Sequence, residues 1–87
     1  MEKIVITVVG KDSVGILAKV SNICAGNDFN IIDVRQAVLE GFFTMIMIVE
    51  DDGKIDNKKL KEKLISDLSN MEISVVHENI FNSMHRI

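Results

Sequence analysis

The chain has no tryptophan and no tyrosine, and only four phenylalanines among 87 residues. Aliphatic and methionine side chains must therefore build its interior. At 47% hydrophobic residues there are enough of them, and that share excludes a disordered chain. A single cysteine, Cys24, excludes an intramolecular disulfide. It lies inside an apolar helical pattern, where a buried, inert thiol is expected rather than a nucleophile or a metal ligand. With no disulfide framework, the chain reads as a protein of a reducing compartment. Met1-Glu2-Lys3 leads straight into a strand-like segment without a small-residue cleavage site. The longest nearly uncharged apolar run, Phe42 to Val49, is far too short to span a bilayer. A cytoplasmic location and no membrane partner are expected. A basic excess is lacking too. The net charge is −3, which argues against nucleic acid as the partner, because a duplex binder must neutralise phosphates. Lys54, Lys58, Lys59, Lys61 and Lys63 do cluster. They fall on one helical segment with acids nearby and read as a solvated face.

What is present orders itself into one domain over residues 1–87. Lys3 to Val9 is apolar and rich in β-branched residues, which predicts a buried strand. Val14 to Ala25 predicts a helix with Leu17, Val20 and Cys24 on one face and Ile16 and Ile23 beside them. Ser13 or Asp12 can cap its start, and Gly26-Asn27 can stop it. Asn30 to Leu39 and Phe42 to Glu50 predict a hairpin turned by Glu40-Gly41. Asp51-Asp52-Gly53 supplies the next turn. Asp56 to Leu68 predicts a second helix, buried through Leu60, Leu64, Ile65 and Leu68. Asp56 is its candidate cap, and Ile55 and Leu60 have the spacing of a hydrophobic staple. Met71 to Val76 is the last strand. A short terminal helix follows, with Ile80, Phe81 and Met84 on one face. The order β-α-β-β-α-β predicts an α+β, ferredoxin-like fold: a four-stranded antiparallel sheet with two helices on one face, plus the short C-terminal helix.

The third strand does not alternate. Phe42-Phe43-Thr44-Met45-Ile46-Met47-Ile48-Val49 is apolar on both faces, whereas a half-exposed strand should alternate. One face, either Phe43, Met45, Met47 and Val49 or Phe42, Ile46 and Ile48, is therefore expected to meet another surface. Phe42, Phe43, Met45, Ile46 and Met47 are the candidate interface residues of a homo-oligomer, with a dimer the first expectation. Asp33 and Arg35 share a strand face and can form an ion pair that tunes register.

Catalytic chemistry is missing. There is no nucleophile elbow and no paired cysteine. Gly10 and Gly15 have the spacing of a phosphate-binding loop, but Ile16-Leu17 stands where Lys-Ser/Thr is required. His77 and His85 with Glu78 make too few ligands for a zinc site, so neither a metal nor a cofactor is expected. Phe42 and Phe43 are adjacent and point to opposite faces, which does not make an RNA-stacking platform. An enzyme is not expected.

Asp12-Ser13-Val14-Gly15-Ile16-Leu17-Ala18, at the first strand-to-helix junction, resembles the ACT-domain motif, and Asn30-Ile31 opens the second strand as is common in that family. The element order matches over essentially the whole chain. Gly10 to Ser21, Asn30 to Glu50 and the ending Ile80 to Ile87 resemble the UPF0237 group of small standalone ACT proteins. They are also similar to the ACT modules of the glycine-cleavage transcriptional repressor and of formyltetrahydrofolate deformylase. The resemblance implies a regulatory module that binds an amino acid or similar small molecule at a subunit interface and signals to a downstream protein. Carried onto this chain, the binding residues are Asp12, Ser13, Val14, Gly15, Ile16 and Leu17, with Asn30 and Ile31 facing them. Backbone N–H groups of residues 14 to 17 would take a carboxylate at the positive end of the helix. Asp12 would accept from an ammonium, and the Asn30 amide would donate and accept. The sequence departs from the family at Ser13-Val14. Many ACT domains carry Arg-Pro or Lys-Pro there, and this chain has no proline at all.

Overall fold

The computed structural model describes residues 2–11, 15–26, 29–51, 57–68 and 71–84. Among the described residues seven elements follow one another: β1 Glu2–Lys11, α1 Ile16–Gly26, β2 Asn30–Leu39, β3 Phe42–Asp51, α2 Asn57–Asp67, β4 Glu72–His77 and α3 Glu78–Met84. The strands form one antiparallel sheet in the order β2-β3-β1-β4. This is the ferredoxin-like arrangement that the sequence predicts. The most apolar strands, β1 and β3, take the centre, where both edges are paired.

Register decides which side chains meet the helices. Ile4, Ile6, Val8 and Gly10 pair with Val49, Met47, Met45 and Phe43. These side chains share the face covered by α1 and α2, and the apolar ones form the core. Phe43, Met45 and Met47 are therefore core residues, at 7%, 0% and 0% exposure. They are not available to an intermolecular surface, and that expectation narrows to Phe42 and Ile46 on the opposite face.

α1 begins at Gly15, whose φ is +84° and whose carbonyl accepts the first helical bond from Lys19 N–H at 3.0 Å. This start sets the helix phase. Ile16, Val20, Ile23 and Cys24 are buried, while Leu17, expected in the stripe, lies at its edge and is exposed. Gly26 is the last helical residue; Asn27 lies outside the described residues. Phe29 then folds back, its N–H donating to the Cys24 carbonyl at 2.9 Å, and its ring is buried. α2 buries Leu60, Leu64 and Leu68, but Ile65 faces solvent. Its expected cap and staple, Asp56 and Ile55, lie outside the described residues.

The hairpin is a two-residue turn between Leu39 and Phe42. Glu40 and Gly41 have φ of 50° and 85°, the type I′ signature that matches strand twist. Further along β2, Ile31 pairs with Val49 and Asp33 with Ile48, which leaves Ile32 as an extra residue. This bulge puts Ile31 and Val34 on the same face. The Asp33 carboxylate accepts from Val34 N–H at 2.8 Å. Its other oxygen lies 3.9 Å from Arg35 Nε on the open face.

α3 forms as expected; of its expected apolar face, the Met84 side chain lies outside the described residues. Phe81 is half-buried, but Ile80 is exposed. The helix touches β1 and β4. Val5 points away from α1 and α2 and is still 2% exposed, so α3 covers that part of the open face.

Candidate functional site

The strand-to-helix junction is the first candidate. Asp12, Ser13 and Val14 lie outside the described residues. The flanking residues define the site's frame. Gly15 is exposed, and a Cβ built on it would meet nothing within 4 Å. Its glycine serves the backbone: φ of +84° is a conformation that L side chains rarely adopt. Ile16 anchors the junction with a side chain 2% exposed, so only its backbone can serve a ligand. Leu17 is more open. Helix geometry leaves the N–H groups of Ile16, Leu17 and Ala18 without acceptors inside α1. No acid stands in the first turn, so the positive end of the helix is not neutralised by its own residues.

Asn30 and Ile31 are also exposed. They do not lie beside the junction. Asn30 pairs with Glu50, and Glu50 with Lys3, at one end of the sheet. Lys11 pairs with Phe42, and Phe42 with Leu39, at the other. From Lys3 to Lys11 the strand rises about 27 Å, at ~3.4 Å per residue. One chain therefore presents the two halves of the expected site at opposite ends of its sheet.

The open face carries the remaining interface candidates. Phe42 is 54% exposed, and Ile46 and Ile48 beside it are half-buried.

A second concavity was not visible in the sequence. Lys19, Asn22, Ile23 and Gly26 of α1 face Lys63 and Asp67 of α2 across a shallow cleft of about 240 Å³. Its residues come from two helices far apart in sequence, Ile16–Gly26 and Asn57–Asp67, and no local motif marks them.

The other titratable candidates are structural. Cys24 is fully buried, and desolvation pushes its thiol up to about 11. That is the opposite of an activated nucleophile. His77 Nδ1 accepts from Asn79 N–H at 3.2 Å and so caps the start of α3. His85 lies outside the described residues. Among the described residues no three His, Cys, Asp or Glu side chains are grouped to hold a metal. No helix among them is long and apolar enough to cross a membrane.

A sequence model of the ACT domain matches residues 2–78. A UPF0237 protein of Methanococcus maripaludis is 51% identical, over 100% of both chains. The structure of an ACT domain protein from Streptococcus pneumoniae superposes with a TM-score of 0.79 at 39% identity, covering 97% of this chain and 98% of that one. A candidate glycine cleavage system transcriptional repressor superposes with a TM-score of 0.72 at 26% identity, covering 87% of this chain and 45% of that one.

Proposed function

Because the chain belongs to the ACT-domain family, we propose that it is a non-catalytic regulatory module that binds an amino acid or similar small molecule between two copies of itself. The observation that carries this reading is Gly15. It opens α1 in a left-handed conformation, with free space around it and the first-turn N–H groups beyond it. A carboxylate suits that geometry. The missing basic side chain at position 13 leaves the charge to be met by backbone dipoles, so modest affinity is expected.

The separation of the expected half-sites supports the two-copy arrangement. Among the described residues β2 is an edge strand, whose outer side can pair with a further strand. Two β2 strands apposed antiparallel about a two-fold axis would carry the Asn30 end of one copy to the Leu39 end of the other. The Leu39 end adjoins Phe42 and Lys11, where the 10–17 loop leaves the sheet. Asn30 and Ile31 of one copy would then face that loop of the other.

Thermal-shift and calorimetric screening against all common amino acids tests the proposal. A stabilising ligand that loses its effect on Gly15→Val supports it. No response at millimolar concentration, from a protein shown to be a dimer, overturns it. A ligand-free interaction module is the second reading, and the exposed Phe42 favours it. It predicts association that no small molecule changes.

A further inference from the structure

We propose that a second copy of this chain covers the open face of the sheet, with α3 of each copy seated over β2 and β3 of the other. The face has two unequal halves. Over β1 and β4 stands α3, which seals Val5 to 2% exposure and presents Ile80 outward at 53%. Over β3 and β2 nothing described stands. Phe42 is 54% exposed there, with Ile46, Ile48 and Ala37 along the same face. The ridge, α3, is about 10 Å long and the trough from Phe42 to Ile48 about 20 Å, so the trough has room for the ridge, and a two-fold axis can place each ridge in the other copy's trough.

Charge is arranged for the same contact. The exposed residues of α3, Asn79, Ile80, Asn82 and Ser83, are all uncharged. So are Phe42, Thr44, Ile46 and Ile48 on the β3 side of the trough; its β2 side, the edge of the sheet, carries Asp33 and Arg35 opposite Ile48 and Ile46. An apolar centre with charge at its margin is the pattern of a protein interface. At the margin, Asp33 and Arg35 stand side by side, 3.9 Å apart and exposed. One residue of each sign at one place lets a symmetric pair set Arg35 of one copy against Asp33 of the other. The molecule's broad face measures 36 by 34 Å. Half of it in contact supplies on the order of 600 Å² per partner, at the lower edge of stable interfaces.

This contact is distinct from the β2 edge pairing that would build the ligand site, and the test separates them. Mass in solution is measured by sedimentation for the full chain, for Ile46→Glu and for Ile80→Asp, with folding checked by circular dichroism. Both folded variants are expected to lose half or more of the wild-type mass while keeping any ligand-induced thermal shift. Asp33→Arg and Arg35→Asp are each expected to weaken association, and an equimolar mixture of the two to restore it. A monomeric wild type at high micromolar concentration overturns the proposal. So does wild-type mass in both folded apolar variants, or a mixture that associates no better than its components.

Discussion

Glu40 occupies a position that its side chain does not favour. Its φ of 50° is left-handed, and a residue with a Cβ resists that region by roughly 1–2 kcal/mol. The type I′ turn forces it, because Leu39 and Phe42 are held in register by two long strands. Asn tolerates the conformation, so Glu40→Asn is expected to stabilise the fold by roughly 0.5–1 kcal/mol. Urea unfolding with an unchanged m value checks this; an unchanged or lower midpoint rejects it. Cys24 gives a second residue-level expectation, in its pH dependence. Burial raises the folded-state thiol to about 11 from an ordinary 9.0. Below about pH 9 both folded and unfolded thiols are protonated, and pH has no leverage through this group. Between those values the unfolded chain ionises and the folded one does not, so the unfolded state binds fewer protons and stability falls as pH rises. The loss reaches on the order of 2 kcal/mol near pH 11. Cys24→Ala has no thiol to ionise and is expected to show a flatter alkaline decline, from a lower starting stability. Parallel slopes for the two proteins in chemical denaturation would sink this account.

β3 shows most directly how neighbouring residues acquire opposite fates. Met45 is fully buried between sheet and helices, while Ile46 lies on the open face. Met45→Glu puts an unpaired carboxylate in the core, a cost of several kcal/mol, and is expected to abolish cooperative unfolding. Ile46→Glu is expected to melt cooperatively within a few degrees of wild type. Cooperative melting of Met45→Glu together with its loss in Ile46→Glu would mean that the face assignment is reversed. The sequence does not make that assignment, because both faces of β3 are apolar and alternation, the usual signal, is absent. It does show the order of elements and the Glu40-Gly41 turn, since these rest on local chemistry: β-branched runs, a helical stripe and a glycine at the turn. Leu17 and Ile65 look like core in the sequence and are exposed in the structure, as is Ile80 of the short terminal helix. Helix phase is set by where the chain enters, and Gly15 rather than the apolar pattern fixes that for α1. The Ile32 bulge is also silent, because an extra aliphatic residue in an aliphatic strand leaves no mark. Of the candidate site, the glycine and its helix start are legible in the motif. The distance separating Asn30 from it depends on strand register, which is a property of the assembled sheet.

At the scale of the whole molecule, that separation gives the functional proposal its sharpest consequence. If each ligand is held by the 10–17 loop of one copy and Asn30 of the other, a symmetric dimer has two sites, each built from both chains. Gly15→Val places a β-branched residue at φ +84°, which distorts the junction, although no neighbour lies close enough to clash. The conformational cost is about 1–2 kcal/mol, which leaves the fold intact in a chain of ordinary stability. Asn30→Ala removes the amide from the opposite end and touches nothing in the core, since Asn30 is exposed. Each variant alone is expected to lose the ligand-induced shift, because every site in it is missing one half. Mixing the two after brief unfolding and refolding produces heterodimers. In each of these, one site combines the intact Gly15 of one chain with the intact Asn30 of the other, and the second site carries both defects. Calorimetry on the mixture is expected to recover binding with wild-type affinity and a reduced number of sites. A site contained within one chain predicts no recovery at any mixing ratio, since no refolded chain would then hold both intact halves. Recovery with weakened affinity and a full complement of sites would instead point to an indirect effect of the substitutions on folding. Binding would also tighten association of the copies by mass action, so the ligand is expected to lower the protein concentration at which dimers dissociate.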